Sequence, residues 1–177
     1  MRPSPPPPAR GILRWLSPWF SAYALAGLLV NGMVPVMLPV TVKPAGPVAV
    51  AVVVAAFFLG QLTAPLIGSL ADRRGWQRPL FLASFPVMAA AAVAIGTGSS
   101  IAVWIPAAFA AGAAAGAAQT LGSVFIVEGH PKEEWDTRIG WFRFTFGIGQ
   151  VGGLAIGAVF ADGDLTTGWL VAAGAIL

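Results

Sequence analysis

The sequence predicts an all-α protein that crosses a membrane several times. Three observations carry this. First, 57% of the 177 residues are hydrophobic and only 10% are charged, against about 25% charged in an ordinary soluble domain. A water-borne domain this apolar would expose large greasy patches and aggregate, so lipid is the natural solvent for its surface. Second, Asp, Glu, Lys and Arg are absent from 15–42, 44–71, 79–127, 144–161 and 165–177. About 20 consecutive apolar residues cross a hydrocarbon core of about 30 Å as a helix. Third, the basic residues alternate between the connections that join these stretches, as residues sorted to two sides of a bilayer do.

The elements follow in order. The opening MRPSPPPPAR is polar and rich in proline, so residues 1–14 read as an extended, disordered tail. Apolar sequence then runs on through LLVNGMVPVMLPV. That is longer than the roughly 7–15 residues of a signal-peptide core, so the stretch is a span and not a cleaved leader. We place the first span at 17–40 and the second at 48–70. The run 79–127 holds two spans, 79–96 and 101–127, divided by GTGSS at 96–100. A fifth occupies 139–160 with Arg143 near its mouth. Residues 168–177 begin a sixth that stops short of crossing. The chain, a helical membrane domain over 15–177, therefore reads as five complete spans and a truncated sixth, in the manner of a fragment or a shortened reading frame.

Sorting Lys and Arg by connection gives the orientation. The tail holds Arg2, Arg10 and Arg14, the second loop Arg73, Arg74 and Arg78, and the fourth Lys132, Arg138 and Arg143. The first loop holds Lys43, while the third and fifth hold no basic residue. Nine basic residues thus fall on one side and one on the other. The positive-inside rule makes the first side cytoplasmic. The expectation is a multi-pass protein of the cell (inner) membrane with a cytoplasmic amino terminus.

Several classes are excluded. The net charge of +3 comes from basic residues spread over three separate places, not from one patch, so nucleic acid is not an expected partner. There is no cysteine and one histidine. Disulfides and thiol–metal chemistry are ruled out, and no metal, cofactor or catalytic residue is expected. A membrane enzyme would need acids or His/Glu ligands clustered at one face, whereas the acids here are scattered over three loops.

The densest knot of charge is GSLADRRGWQRPL, residues 68–80, between two charge-free stretches. Gly68 removes a side chain where another helix approaches. Asp72 stands at the carboxy-terminal end of a helix, where the dipole disfavours an anion, so it calls for a partner: the neighbouring arginines or another helix's amino terminus. Arg73, Arg74 and Arg78 hold the loop at the cytoplasmic surface. Gly75 permits a sharp reversal.

These residues resemble a known family. Residues 68–75, Gly-Ser-Leu-Ala-Asp-Arg-Arg-Gly, are similar to the signature loop of the major facilitator superfamily, G-x-L-x-D-R-x-G-R-[RK], which also follows the second span. Pro131, Glu133 and Arg138 before a glycine-rich span resemble that family's fourth loop and fifth helix. The resemblance implies the amino-terminal six-helix half of a twelve-helix transporter, with a carboxy-terminal half-domain missing. It also implies a latch between the basic position after Gly75 and an acid at the cytoplasmic end of the fourth helix. Glu128 stands at such a place, with Arg78 or Arg73 as its candidate partner. The chain departs from the pattern at Trp76 and Gln77, where the family carries basic residues. The fourth span has no arginine, and GIGQVGGLAIG keeps the fifth helix's glycines without the proline of antiporters.

Polar groups in hydrocarbon are costly and face the protein interior or a water-filled cavity. Asn31, Gln61, Gln119 and Gln150 lie near the middles of the first, second, fourth and fifth spans. They are the candidates to line a substrate path at the midplane, where alternating access needs it. The third span offers only Ser84. The resemblance implies an outer role for the third and sixth helices and a cavity bordered by the other four. The plainer reading of the amides is helix-to-helix hydrogen bonding, worth about 0.6 kcal/mol each. Arg143 either snorkels to the surface or meets an anionic substrate. His130, Glu133, Glu134 and Asp136 read as a solvated loop. The pairs Gly112/Gly116 and Gly153/Gly157 allow close helix approach. Pro35, Pro39, Pro65, Pro86 and Pro106 allow bends.

No carboxylate lies inside a span, so proton coupling in this half would fall to Asp72 or Glu128. The functional expectation is a secondary transporter moving a small solute by alternating access, preferentially efflux. Neutral amides favour an uncharged or amphipathic drug-like or sugar-like compound. The alternatives are a truncated non-transporting fragment and an uptake uniporter or symporter of the same fold.

Overall fold

A computed structural model of the chain describes residues 19–128 and 130–177. The tail 1–14 lies outside the described residues. Within them all regular structure is helical. The first span is one winding path: α1 (Trp19–Gly27), a π-helical turn (Leu28–Met33), α2 (Val34–Val42) and a 3₁₀ turn (Lys43–Ala45). The second span is α3 (Pro47–Gln61) followed by α4 (Ala64–Arg74). Then come α5 (Gln77–Thr97), α6 (Ile101–Val127), α7 (Trp135–Ala161) and the shorter α8 (Leu165–Ile176). Among the described residues, five stretches are long and apolar enough to cross a membrane: Tyr23–Ala45, Pro47–Arg74, Gln77–Thr97, Ile101–Val127 and Lys132–Ala161.

The fourth span keeps the bounds read from sequence, and others shift. The second helix runs on to Arg74, so Asp72, Arg73 and Arg74 ride on its last turn. The fifth helix starts at Trp135 and not at 139. Arg143 consequently lies eight residues inside it, just over two turns from its end.

Proline and glycine set the local irregularities. Pro35 has no N–H to return to the carbonyl of Asn31. The preceding turn widens instead, and the Val34 N–H reaches back five residues to Leu29 O. In the second span Pro65 likewise leaves the Gln61 carbonyl without its usual donor. The path breaks at Leu62 and Thr63, and Thr63 Oγ1 donates to Gly60 O at 2.6 Å. Gly46, with φ of 95°, turns the chain between the first two spans. Asp164 caps α8, where Oδ1 accepts from the Thr167 N–H at 3.1 Å and Oδ2 from its hydroxyl at 2.6 Å.

Two seams bring backbones into direct contact. In the first, the first and fifth spans meet where a Cβ on Gly149 would overlap Ala24 O, and one on Gly153 would overlap Leu28 O. In the second, the second and fourth spans meet where a Cβ on Gly112 would overlap Phe57 O, and one on Gly60 would overlap Phe109 O. Small residues let helices approach this closely in lipid, where dispersion and Cα–H···O contacts replace the hydrophobic drive. Exchanging spans one to three with four to six turns one seam into the other. That is the signature of paired three-helix repeats. The third and sixth spans pack together, with Gly96 against the Trp169 side chain.

The core is closed by polar handles on aromatic rings. Trp169 is fully buried, and its Nε1 donates to Thr41 Oγ1 at 2.9 Å, which in turn donates to Met37 O at 2.8 Å. Trp104 Nε1 donates to Ile95 O and Gly98 O. These bonds lie at the end of the bundle opposite the arginine-bearing loop. Large apolar side chains remain exposed along the second span (Val48, Leu59, Leu62, Leu66) and the fifth (Phe144, Ile148, Val151, Val159). These are the surfaces a bilayer or a second helical unit would cover.

Candidate functional site

The first, fourth and fifth spans enclose a cleft of about 500 Å³. Asn31 enters from the first span, and Gln119, Thr120 and Ser123 from the fourth. Phe142, Arg143, Phe146, Gly147 and Gln150 come from the fifth. Helical periodicity explains the grouping, because 143, 146, 147 and 150 fall on one face of α7 at i, i+3, i+4 and i+7. The neighbouring stripe, Gly149, Gly153 and Gly157, is buried against the first span. That seam draws Asn31, carried on the π turn, up beside Gln150: a Cβ on Gly32 would come within 2.8 Å of Gln150 O.

Four of the five path candidates from the sequence thus line one cleft: Asn31, Gln119, Gln150 and Arg143. Gln61 does not line it. Gln61 is half-buried at the end of α3, and its backbone lies against Gly112 and Gly116 in the second seam. Among the described residues, the three amide side chains in the cleft have no hydrogen-bond partner, and Arg143 has no ion-pair partner. Ser123 Oγ donates to Thr120 O at 2.7 Å. No lining side chain is fully buried. The arrangement presents unspent donors and acceptors to whatever enters.

The cleft has a floor of aromatic rings. The buried Tyr23 packs edge-on to Phe142 with centroids 4.7 Å apart, and its hydroxyl donates to Gly122 O on the fourth span at 3.1 Å. Phe81 and Phe125 extend the cluster.

The charged loop lies beyond. Gly75 adopts the left-handed conformation, φ 66° and ψ 28°. The N–H groups of Gly75 and Trp76 both bond Ala71 O, closing the helix end. Asp72 finds a partner at the amino terminus of α5, where Gln77 Nε2 donates to Oδ1 at 3.3 Å. The partner is a neutral amide and not an arginine. The Arg74 guanidinium sits 4.9 Å from the Trp76 ring centroid. Arg73, Arg78 and Glu128 are exposed, and no ion pair joins Glu128 to either arginine among the described residues. The fourth connection holds a pair instead, Arg138 to Glu134 at 2.9 Å. Gly68 is buried, with its Cβ direction 3.2 Å from Thr120 Cγ2. The loop-bearing helix therefore touches a side chain that lines the cleft.

A family model described as Major Facilitator Superfamily matches residues 19–177, all of the chain beyond the opening residues. The chain belongs to the major facilitator superfamily. No individually curated protein matches it. Membership makes this a multi-pass membrane protein of a transporter family, and the all-helical bundle of five crossing-length helices and a shorter sixth agrees.

Several cleft residues of this major facilitator chain were not singled out from its sequence. Thr120 and Ser123 lie one and four residues after Gln119, which is the helical spacing that could have flagged Ser123. Phe142 and Phe146 flank Arg143 at comparable offsets. Tyr23 is the single tyrosine, set in an apolar run, and a phenol there demands a partner.

Proposed function

We propose that this chain forms one wall of a secondary transporter that moves a small organic solute by alternating access, with the solute held in the cleft between the first, fourth and fifth spans. The observation that carries this reading is the convergence of three unpartnered amides and one guanidinium on a single cleft in an otherwise apolar bundle. Intramembrane polar groups that merely tie helices together would bond each other. A volume of about 500 Å³ falls within the range of about 300–1,000 Å³ typical of small-molecule sites.

A second helical half-domain supplies the opposite wall and covers the exposed apolar faces of the second and fifth spans. The amino terminus and the 68–80 loop face the cytoplasm of a cell (inner) membrane, by the distribution of basic residues. The cleft residues lie toward that end. The glycine seam from Gly149 to Gly157 closes the first and fifth spans together at and beyond the midplane. A solute from the cytoplasm would therefore meet the cleft first, which favours efflux of a drug-sized compound. Conformational switching belongs to Gly68, Asp72, Arg73, Arg74, Gly75, Arg78 and Glu128. The contact of Gly68 with Thr120 is the link between that loop and the bound solute.

The test is solute flux in both directions across vesicles carrying the full-length protein, using a panel of drug-like and sugar-like compounds. The reading expects saturable flux that falls when Gly68 or Asp72 is replaced. Flux that survives both replacements and Gln119→Ala would sink it. Net uptake would reverse the direction proposed and leave the site standing.

A further inference from the structure

Resting on that reading of the cleft, we propose that its solute is an organic anion: a compound with an apolar or aromatic body and one oxyanion group, held by Arg143. The sequence by its neutral amides pointed to uncharged solutes. The structure changes the balance by turning Arg143 of the fifth span into the same cleft as the amides.

Arg143 is exposed and opens onto the cleft rather than onto the apolar outer face of its helix. The face of α7 that points away from the protein carries Phe144, Ile148 and Val151, all exposed. Arg143 belongs to the other face, with Phe146, Gly147 and Gln150. It lies just over two turns from the start of α7, at the edge of the charge-free run 144–161. A guanidinium at the mouth of an otherwise uncharged cleft favours a guest that compensates its charge.

Nothing among the described residues does so. The lining holds no Asp or Glu. Of the acids on the same connection, Glu134 pairs with Arg138, while Glu128, Glu133 and Asp136 are exposed and make no ion pair among the described residues. The natural counter-ion is therefore a guest. A guanidinium fork binds carboxylate, sulfonate or phosphate oxygens through two parallel charge-assisted hydrogen bonds. The amides of Asn31, Gln119 and Gln150 offer further N–H donors around it. The rest of the guest meets Phe142 and Phe146, and the ring of Phe142 is steadied by the edge of Tyr23.

The experiment measures binding by the full-length protein in detergent micelles. The probes are matched series: one-, two- and three-ring aromatic carboxylic acids, the neutral carboxamide of each, and the corresponding aryl phosphates. The expected result is that at least one acid binds about ten-fold or more tightly than its amide. Arg143→Gln should erase that preference, and Arg143→Lys should restore part of it, with both variants remaining monodisperse. The comparison is made between about pH 6 and pH 9, where the carboxylic acids are ionised and their amides are neutral. The acid and phosphate arms decide which oxyanion is taken. The proposal is overturned if acids and amides bind alike, if Arg143→Gln leaves the preference intact, or if no anion in the panel binds. The transport reading fails separately: Arg143-dependent anion binding with no vesicle flux would sink transport alone, while flux of neutral solutes indifferent to Arg143 would sink the anion site alone.

Discussion

The hydroxyl of Tyr23 on the first span donates to the carbonyl of Gly122 on the fourth at 3.1 Å, joining residues 99 apart in sequence. The same ring lies edge-on to Phe142 of the fifth span, so one side chain ties together the three helices that line the cleft. Tyr23→Phe removes the bond and keeps the packing. We expect a loss of about 0.6 kcal/mol, with an upper end near 1.7. Tyr23→Ala also empties the aromatic floor and should cost about 3–5 kcal/mol. Melting in detergent, read by tryptophan fluorescence, separates the two. Equal losses would deny the ring its packing role.

The glycine seams predict a sharp contrast between neighbouring positions. A methyl at Gly153 or Gly112 would strike the carbonyl of Leu28 or Phe57, whereas Gly152 has open space in the Cβ direction. Gly153→Ala and Gly112→Ala should each destabilise by about 1–3 kcal/mol through forced helix separation. Gly152→Ala should be neutral or slightly stabilising, because alanine favours helix. Comparable melting of all three variants would contradict the seams.

Gly75 closes the second helix with φ of 66°. Any residue with a Cβ is strained there by roughly 1–2 kcal/mol, and asparagine least. Gly75→Val should lower stability more than Gly75→Asn, and protease should cut the loop of the valine variant faster. Gly68 works differently, because its φ is helical and its constraint is the Thr120 methyl group 3.2 Å from the Cβ direction. Gly68→Ala should be tolerated after a small shift. Gly68→Leu should press Thr120 toward the cleft and reduce flux more than it reduces stability.

Asp164 supplies the pH dependence. Its carboxylate accepts from the Thr167 hydroxyl and backbone N–H, which hold its pKa below the ordinary aspartate value. A depressed folded pKa means that the stabilisation is fully present above the unfolded value, about 4. It fades as pH falls through the folded value. Wild type should therefore melt above Asp164→Ala at neutral pH, and the gap should close in acid. Asp164→Asn, which keeps an acceptor, should lie between them with little pH dependence. A gap that widens in acid would refute the assignment.

The legible and illegible parts of this protein divide by range. The alternation of charge-free stretches with Arg73, Arg74 and Arg78, then Lys132 and Arg138, was enough to number the spans in order. The bounds 101–127 agree because GTGSS and the first charged residue, Glu128, punctuate them. The fifth helix starts four residues before 139: Arg138 carries the charge of a loop residue, but its pair with Glu134, one helical turn back, lets it ride on the helix. Asp72 calls for the neighbouring arginines or another helix's amino terminus, and the close of the turn at Gly75 brings Gln77, at the amino terminus of α5, within reach.

Gln61 and Gln119 show where sequence reading ends. Both are amides near the middle of apolar spans, and nothing in their neighbours separates them. Yet one lines the cleft and the other sits beside the seam with Gly112 and Gly116. The sequence by itself determined the helical class, the count and order of the spans, and the loops that gather positive charge. Those follow from transfer of each segment into lipid, a property summed along about 20 residues. Only the tertiary structure decided which polar groups share a cleft and that Arg143 joins them. That depends on how each helix is rotated about its axis, and the rotation is set by backbone contacts between glycines and carbonyls on different helices, which no single stretch of sequence contains.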